Sequence, residues 1–172
     1  MIRVVVWALG AAALTGCALE GPGSYAVDPA CPADVAATMA DVEDTYCQEL
    51  GLCMGLRPYP AADVNVNCTW EYGRFGRDDG SAAHASPHVD GLNPAWRIVV
   101  DMSDDAVLWE LTPAWLMRRE LWRVLAHELA HTHGVSHGGQ PGQLMSARQR
   151  AGDGLAELDS SVTCPLIGEG CP

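Results

Sequence analysis

The chain has no lysine: all ten of its basic residues are arginines, set against 22 acidic residues, and the formal charge is −12. A chain this acidic is a poor partner for nucleic acid, where affinity rests on neutralising phosphates. It also lacks an apolar run able to cross a bilayer and continue as an anchor, since Val4 to Leu14 is too short for that. No C-x-x-C pair occurs among the cysteines, which argues against a Cys-rich metal site. What remains is a 172-residue chain, 48% hydrophobic and 19% charged, enough for one globular domain with a real core. The acidity reads most simply as a solvated surface. Calcium would need clustered oxygen ligands; Asp78, Asp79, Asp101, Asp104 and Asp105 are candidates, but nothing in the sequence groups them.

Residues 1–16 have the layout of an export signal: Arg3 supplies a positive start and an apolar stretch follows. The end of that stretch, Leu14-Thr15-Gly16-Cys17, resembles the bacterial lipobox, which implies that Cys17 is lipidated. Ordinary cleavage at a small-residue site is the competing reading. Lipidation places the protein in the bacterial cell envelope, exported and anchored to the outer membrane or the outer face of the cytoplasmic membrane. Residues 17–30, with Gly21, Pro22, Gly23, Ser24 and Pro29, read as a tether that leaves no room for a pro-domain. The functional domain is then 31–172. With Cys17 set aside, Cys31, Cys47, Cys53, Cys68, Cys164 and Cys171 form an even set. In an exported chain that argues for three disulfides, of unassigned connectivity.

Pro32 to Leu50 is expected to be a helix, because Val35, Met39, Val42, Tyr46 and Leu50 recur at three- and four-residue steps. Asp63 to Tyr72 and Trp96 to Met102 alternate with a period of two and read as strands. Their apolar faces carry Val64, Val66, Cys68, Trp70 and Tyr72 in one case, and Trp96, Ile98, Val100 and Met102 in the other. Gly73 to Pro94, between them, reads mostly as loop. Thr112-Pro113 is expected to open a second, longer helix running to about His133. Its apolar residues include Leu116, Leu121, Trp122, Leu125, Leu129 and Ala130, while Arg118, Arg119 and Arg123 are expected on its solvent edge. A last helix is expected over Ala147 to Leu158, with Cys164 and Cys171 pinning the tail.

The chemistry is concentrated in His127 to Met145, HELAHTHGVSHGGQPGQLM. Residues four apart on a helix share a face, so His127 and His131 can pinch one metal ion. Glu128 is turned about 100° away, near enough to reach a metal-bound water without ligating. Gly134 suits a left-handed helix end, after which the chain can turn back and bring His137 in as a third ligand. Three neutral imidazoles with an open fourth position are the catalytic arrangement for zinc. A carboxylate beside the water can take its proton and hand it to a leaving amine. His133, two residues past His131, is expected to face solvent and not to ligate.

The pattern H-E-x-x-H-x-x-G-x-x-H with a following methionine resembles the zinc signature of the metzincin peptidases, and the Pro141-Gly142-Gln143-Leu144-Met145 segment is most similar to the matrixins. The resemblance implies an α/β (α+β) fold: a small twisted mixed sheet, a long active-site helix, a second packing helix, and a short C-terminal subdomain with a Met-turn. It implies one catalytic Zn2+ held by His127, His131 and His137, Glu128 as general base, and Met145 as the floor of the site. Asp79-Gly80 followed by Ala83-His84-Ala85 and Pro87 is similar to the matrixin segment that forms an edge strand beside the cleft. An extended polypeptide could pair with such an edge. The family's second, structural zinc is not expected, because its other ligands have no counterparts. His84, His88 and Asp90 could form an improvised site, but solvent-facing residues are the simpler reading. No cysteine-switch segment is recognisable. Gly138 and Ser146-Ala147 depart from the family's Ser and Tyr-Pro, so substrate preference does not carry over. The expected function is a zinc-dependent endopeptidase acting on polypeptides as a monomer, held to the membrane through Cys17. The alternatives are a catalytically silent zinc-stabilised binding module and a zinc amidase acting on cell-wall peptides.

Overall fold

The computed structural model describes residues 21–70, 83–90, 93–102, 114–138, 140–147 and 156–168. In chain order these form β1 (Ser24–Val27), α1 (Ala33–Leu50), β2 (Gly55–Leu56), β3 (Val64–Thr69), β4 (Ala83–Asp90), β5 (Asn93–Asp101), α2 (Ala114–Thr132) and α3 (Ser160–Ile167). The sheet order is β2-β1-β3-β5-β4. The first four of these strands run parallel and β4 pairs antiparallel to β5, so the sheet is mixed. Among the described residues the architecture is α/β with three helices.

The period-two residues Val64 and Val66 of β3 and Ile98 and Val100 of β5 are buried. They meet Val35, Met39, Val42 and Tyr46 of α1 and Leu121, Trp122, Leu125 and Leu129 of α2 in one core. Alternation thus sets which strand face is apolar, and helical spacing sets which stripe of each helix meets it. The Tyr46 hydroxyl donates to the Ala126 carbonyl at 2.7 Å, which fixes the two helices at the level of the histidine stripe. Cys31 is bonded to Cys68, and Cys47 to Cys53. Cys164 is also disulfide-bonded; Cys171 lies outside the described residues.

Several expectations need correction. Ser24–Val27, expected in a tether, is a strand between β2 and β3, with Ser24, Tyr25 and Ala26 buried. Four residues are too few to show a period, and their strand identity comes from the parallel pairing of Tyr25, Ala26 and Val27 with Val64, Asn65 and Val66. Trp70 was expected in the core but is 55% exposed, because β3 ends at Thr69 and leaves it without a neighbouring strand. The stretch expected to be mostly loop contains all of β4, whose register with β5 runs from Ala83↔Val100 to Asp90↔Asn93. Ala83, His84 and Ala85 open this edge strand, and His88 and Asp90 lie further along it. Past the Met-turn the described helix is Ser160–Ile167, beyond the expected Ala147–Leu158 span. Asp159 caps it, accepting the Ser161 N–H at 2.9 Å, whereas Ala156 to Leu158 are not helical. Residues 1–20 with Cys17, Tyr72, Thr112-Pro113 and most of the Ala147–Leu158 span lie outside the described residues.

The two described disulfides close loops of very different length, with sequence separations of 37 and 6. If each acts by restricting the unfolded chain, replacing Cys31 and Cys68 by alanine should cost about 4 kcal/mol, and replacing Cys47 and Cys53 about 2 kcal/mol. Urea unfolding of the two double variants should show that order.

Candidate metal centre

Arg123, His127 and His131 stand at steps of four on α2 and so form one stripe. The helix ends as its glycine suggests. Gly134 has φ +86°, its N–H donates to the His131 carbonyl at 3.0 Å, and the Val135 N–H reaches the Ala130 carbonyl at 3.1 Å. These two bonds make a Schellman ending, which a left-handed residue at position 134 permits. The reversed chain carries His137 back over the helix.

The three Nε2 atoms then meet. His127 to His131, His127 to His137 and His131 to His137 are each 3.1 Å apart. These contacts are not ordinary hydrogen bonds. His127 Nδ1 lies 2.6 Å from the Leu144 carbonyl and His131 Nδ1 lies 2.7 Å from the Val135 carbonyl. A carbonyl only accepts, so both Nδ1 atoms carry the proton and both neutral rings present a bare lone pair at Nε2. Lone pairs aimed at one another at this distance repel unless a cation sits among them. Backbone-fixed tautomers of this kind are what metal-ligating histidines use. Among the described residues this is the one cluster of three or more His, Cys, Asp or Glu able to hold a metal ion. His127 is buried, His131 intermediate and His137 exposed, so the site opens to solvent on the His137 side.

Glu128, next to His127 in sequence, is only 7% exposed. Met145 is fully buried, and its carbonyl accepts the Gly138 N–H at 3.3 Å, which ties the residue after His137 to the Met-turn. The turn is pinned from α3 as well: the Leu144 N–H donates to Asp159 Oδ2 at 2.6 Å and the Met145 N–H to Ser161 Oγ at 3.0 Å.

Two expectations near the site are overturned. Arg123 does not mark the solvent edge; it is 2% exposed and its Nη2 donates to the Gly142 carbonyl in the Met-turn at 3.4 Å. Its place four residues before His127 puts it on the buried stripe, a signal present in the helical period. Arg118 is exposed and pairs with Asp41 at 2.5 Å, while Arg119 is partly buried beside Glu120. His133 is not a surface residue: its ring stacks on Tyr46 at a centroid distance of 5.9 Å. Gly21 covers it so closely that a Cβ there would clash with His133 Nδ1. Only the tertiary position of that N-terminal segment buries it. Asp159 and Ser161 were missed altogether, and nothing in their local sequence marks them. Of the candidate calcium ligands, Asp101 is buried at the end of β5 and the other four lie outside the described residues.

No known protein family matches the chain, and no curated protein matches it either.

Burial holds the His127 imidazolium down, to about 4, against the opposing pull of the Leu144 carbonyl, with smaller lowering contributions from His131, His137 and Arg123. In metal-free protein the folded state therefore refuses a proton that the unfolded ring, ordinary at 6.5, accepts. Between those values the unfolded state binds more protons, so stability present above pH 6.5 is lost as pH falls towards 4. Urea midpoints measured across this window in the presence of chelator should fall, and fall less in His127→Gln.

Proposed function

We propose that the protein is a zinc-dependent endopeptidase of the metzincin type, matrixin-like, carried on a lipid-anchored exported chain. The observation that carries this is the mutual 3.1 Å spacing of three Nε2 atoms, two of them with tautomers set by backbone carbonyls. That spacing is close to the donor separation of a tetrahedral zinc site with bonds of roughly 2.0–2.1 Å. Imidazole donors suit zinc, copper, iron and nickel. The choice of zinc rests on the three-histidine set, the open side and the neighbouring carboxylate. When bound, zinc supplies Lewis acidity that polarises a substrate carbonyl and lowers the pKa of a water.

The chain's own residues supply the rest. His127, His131 and His137 hold the ion. Glu128 accepts a proton from the attacking water and passes it to the amine nitrogen as the peptide C–N bond breaks. Metal retention alone would need only the histidines, which weighs against a silent binding module. The mixed sheet and the long helix ending in a glycine turn agree with the metzincin architecture. β4 at the sheet edge, against α2, is placed to pair with an extended substrate through backbone bonds, which suits a polypeptide. Membrane attachment is through lipidated Cys17; among the described residues, no helix is long and apolar enough to cross a bilayer.

The test is cleavage of a mixed peptide library by wild type and Glu128→Gln at equal zinc content. Cleavage should fall about 10²–10⁴-fold in the variant while one zinc per chain is retained. Equal cleavage by both would refute the role of Glu128. Cleavage of cell-wall fragments but not of polypeptides would move the assignment to an amidase.

A further inference from the structure

Beneath the metal centre, α3 and the Met-turn are joined by a chain of hydrogen bonds that all run one way. Asp159, the N-cap of α3, accepts the Ser161 hydroxyl proton on Oδ1. That donation uses the only proton of Ser161 Oγ, whose lone pairs then accept the Met145 N–H at 3.0 Å. The Met145 N–H belongs to the same peptide group as the Leu144 carbonyl. That carbonyl accepts the His127 Nδ1–H at 2.6 Å. The other carboxylate oxygen of Asp159 takes the Leu144 N–H at 2.6 Å and so holds the same residue from its other side.

We propose that Ser161 and Asp159 are positioning residues for the metal ligand His127, acting on it through the peptide group between Leu144 and Met145. Each donor in the series points towards the carboxylate, so every bond polarises the next in the same sense. Donation of the Met145 N–H to Ser161 leaves the Leu144 carbonyl more negative. The carbonyl then draws harder on the Nδ1 proton, and the imidazole offers a richer lone pair at Nε2. Orientation is set by the same links, because a carbonyl fixed at both flanking N–H groups cannot swing away from the ring. Partners one step removed from a metal commonly change its affinity 10–100-fold when deleted. Here the effect passes through a backbone peptide, so the residues responsible lie 34 and 32 positions from His127 in sequence.

The inference rests on the reading of the three histidines as a zinc centre, though not on peptide cleavage. It is tested on the full chain by zinc competition against a chromophoric chelator and by the visible absorption of the Co2+-loaded protein. Ser161→Ala should weaken zinc binding about tenfold or more and shift the cobalt bands, and Ser161→Thr should restore both. Ser160→Ala is the control: the neighbouring hydroxyl accepts from Gln143 Nε2 at 3.2 Å and stands outside the series, so its loss should leave affinity and spectrum unchanged. Asp159→Asn, which keeps helix-capping capacity, should weaken binding in the same direction and serves if Ser161→Ala does not fold. Zinc affinity of Ser161→Ala within about twofold of wild type, or an equal loss in Ser160→Ala, would overturn the proposal. Wild type that binds zinc but cleaves no peptide would remove the peptidase reading and leave this one standing, whereas wild type that binds no zinc overturns both.

Discussion

Three nitrogen lone pairs held 3.1 Å apart are the feature on which the rest of the structure depends. Without a cation such an arrangement is repulsive, and the fold has to impose it. Two of the rings are locked by backbone carbonyls, and those carbonyls are themselves products of chain reversals: Val135 at the Schellman ending of α2, and Leu144 in the Met-turn. The histidine cluster is therefore as rigid as those two turns.

The turns owe their rigidity to opposite sides of the molecule. Helix α2 is fixed from α1 by the buried Tyr46 hydroxyl on the Ala126 carbonyl, one residue before the first ligand. From the same helix Arg123 reaches across to the Gly142 carbonyl. From the far side the N-terminus of α3 grips Leu144 and Met145. A carboxylate at that position is doubly favoured, because it caps α3 where the helix dipole attracts negative charge and accepts the Leu144 N–H of the turn. Burying the Arg123 guanidinium is costly in itself; its bond to the Met-turn shows where part of that cost is offset. The exposed pair Arg118–Asp41 adds little by comparison.

The proposed function draws on the asymmetry of this environment. The His127 end of the site is buried, while the His137 end faces solvent, and Glu128 is buried next to His127 in sequence. A site so arranged could shield a bound metal ion and, in the proposed reading, leaves one face for a substrate. The sheet edge formed by β4 lies against the same helix, so backbone groups that could bind an extended chain and groups that could cut it belong to adjoining elements. The acidic, lysine-free composition stays compatible with this picture, since none of these interactions calls on a basic surface.

The sequence alone determined what depends on short spacings: the stripe of α1, the apolar faces of β3 and β5, the shared face of His127 and His131, and the left-handed helix end at Gly134. Those are consequences of helical and strand periods and of the allowed backbone angles of glycine, all of which act over a few residues. Even Arg123 was legible in that sense, because it stands one turn before His127, although charge alone suggested solvent. Only the tertiary structure decided which cysteines pair, that Ser24–Val27 is an inner strand, that His133 is stacked beneath Gly21, and that Ser161 and Asp159 hold the turn whose Leu144 carbonyl meets His127. Apart from the short Cys47–Cys53 loop, these are contacts between residues well separated in the chain, such as Cys31 with Cys68 at a separation of 37 and Gly21 over His133. No local period encodes such contacts. They exist because packing the helices on the sheet leaves particular donors, acceptors and rings facing one another.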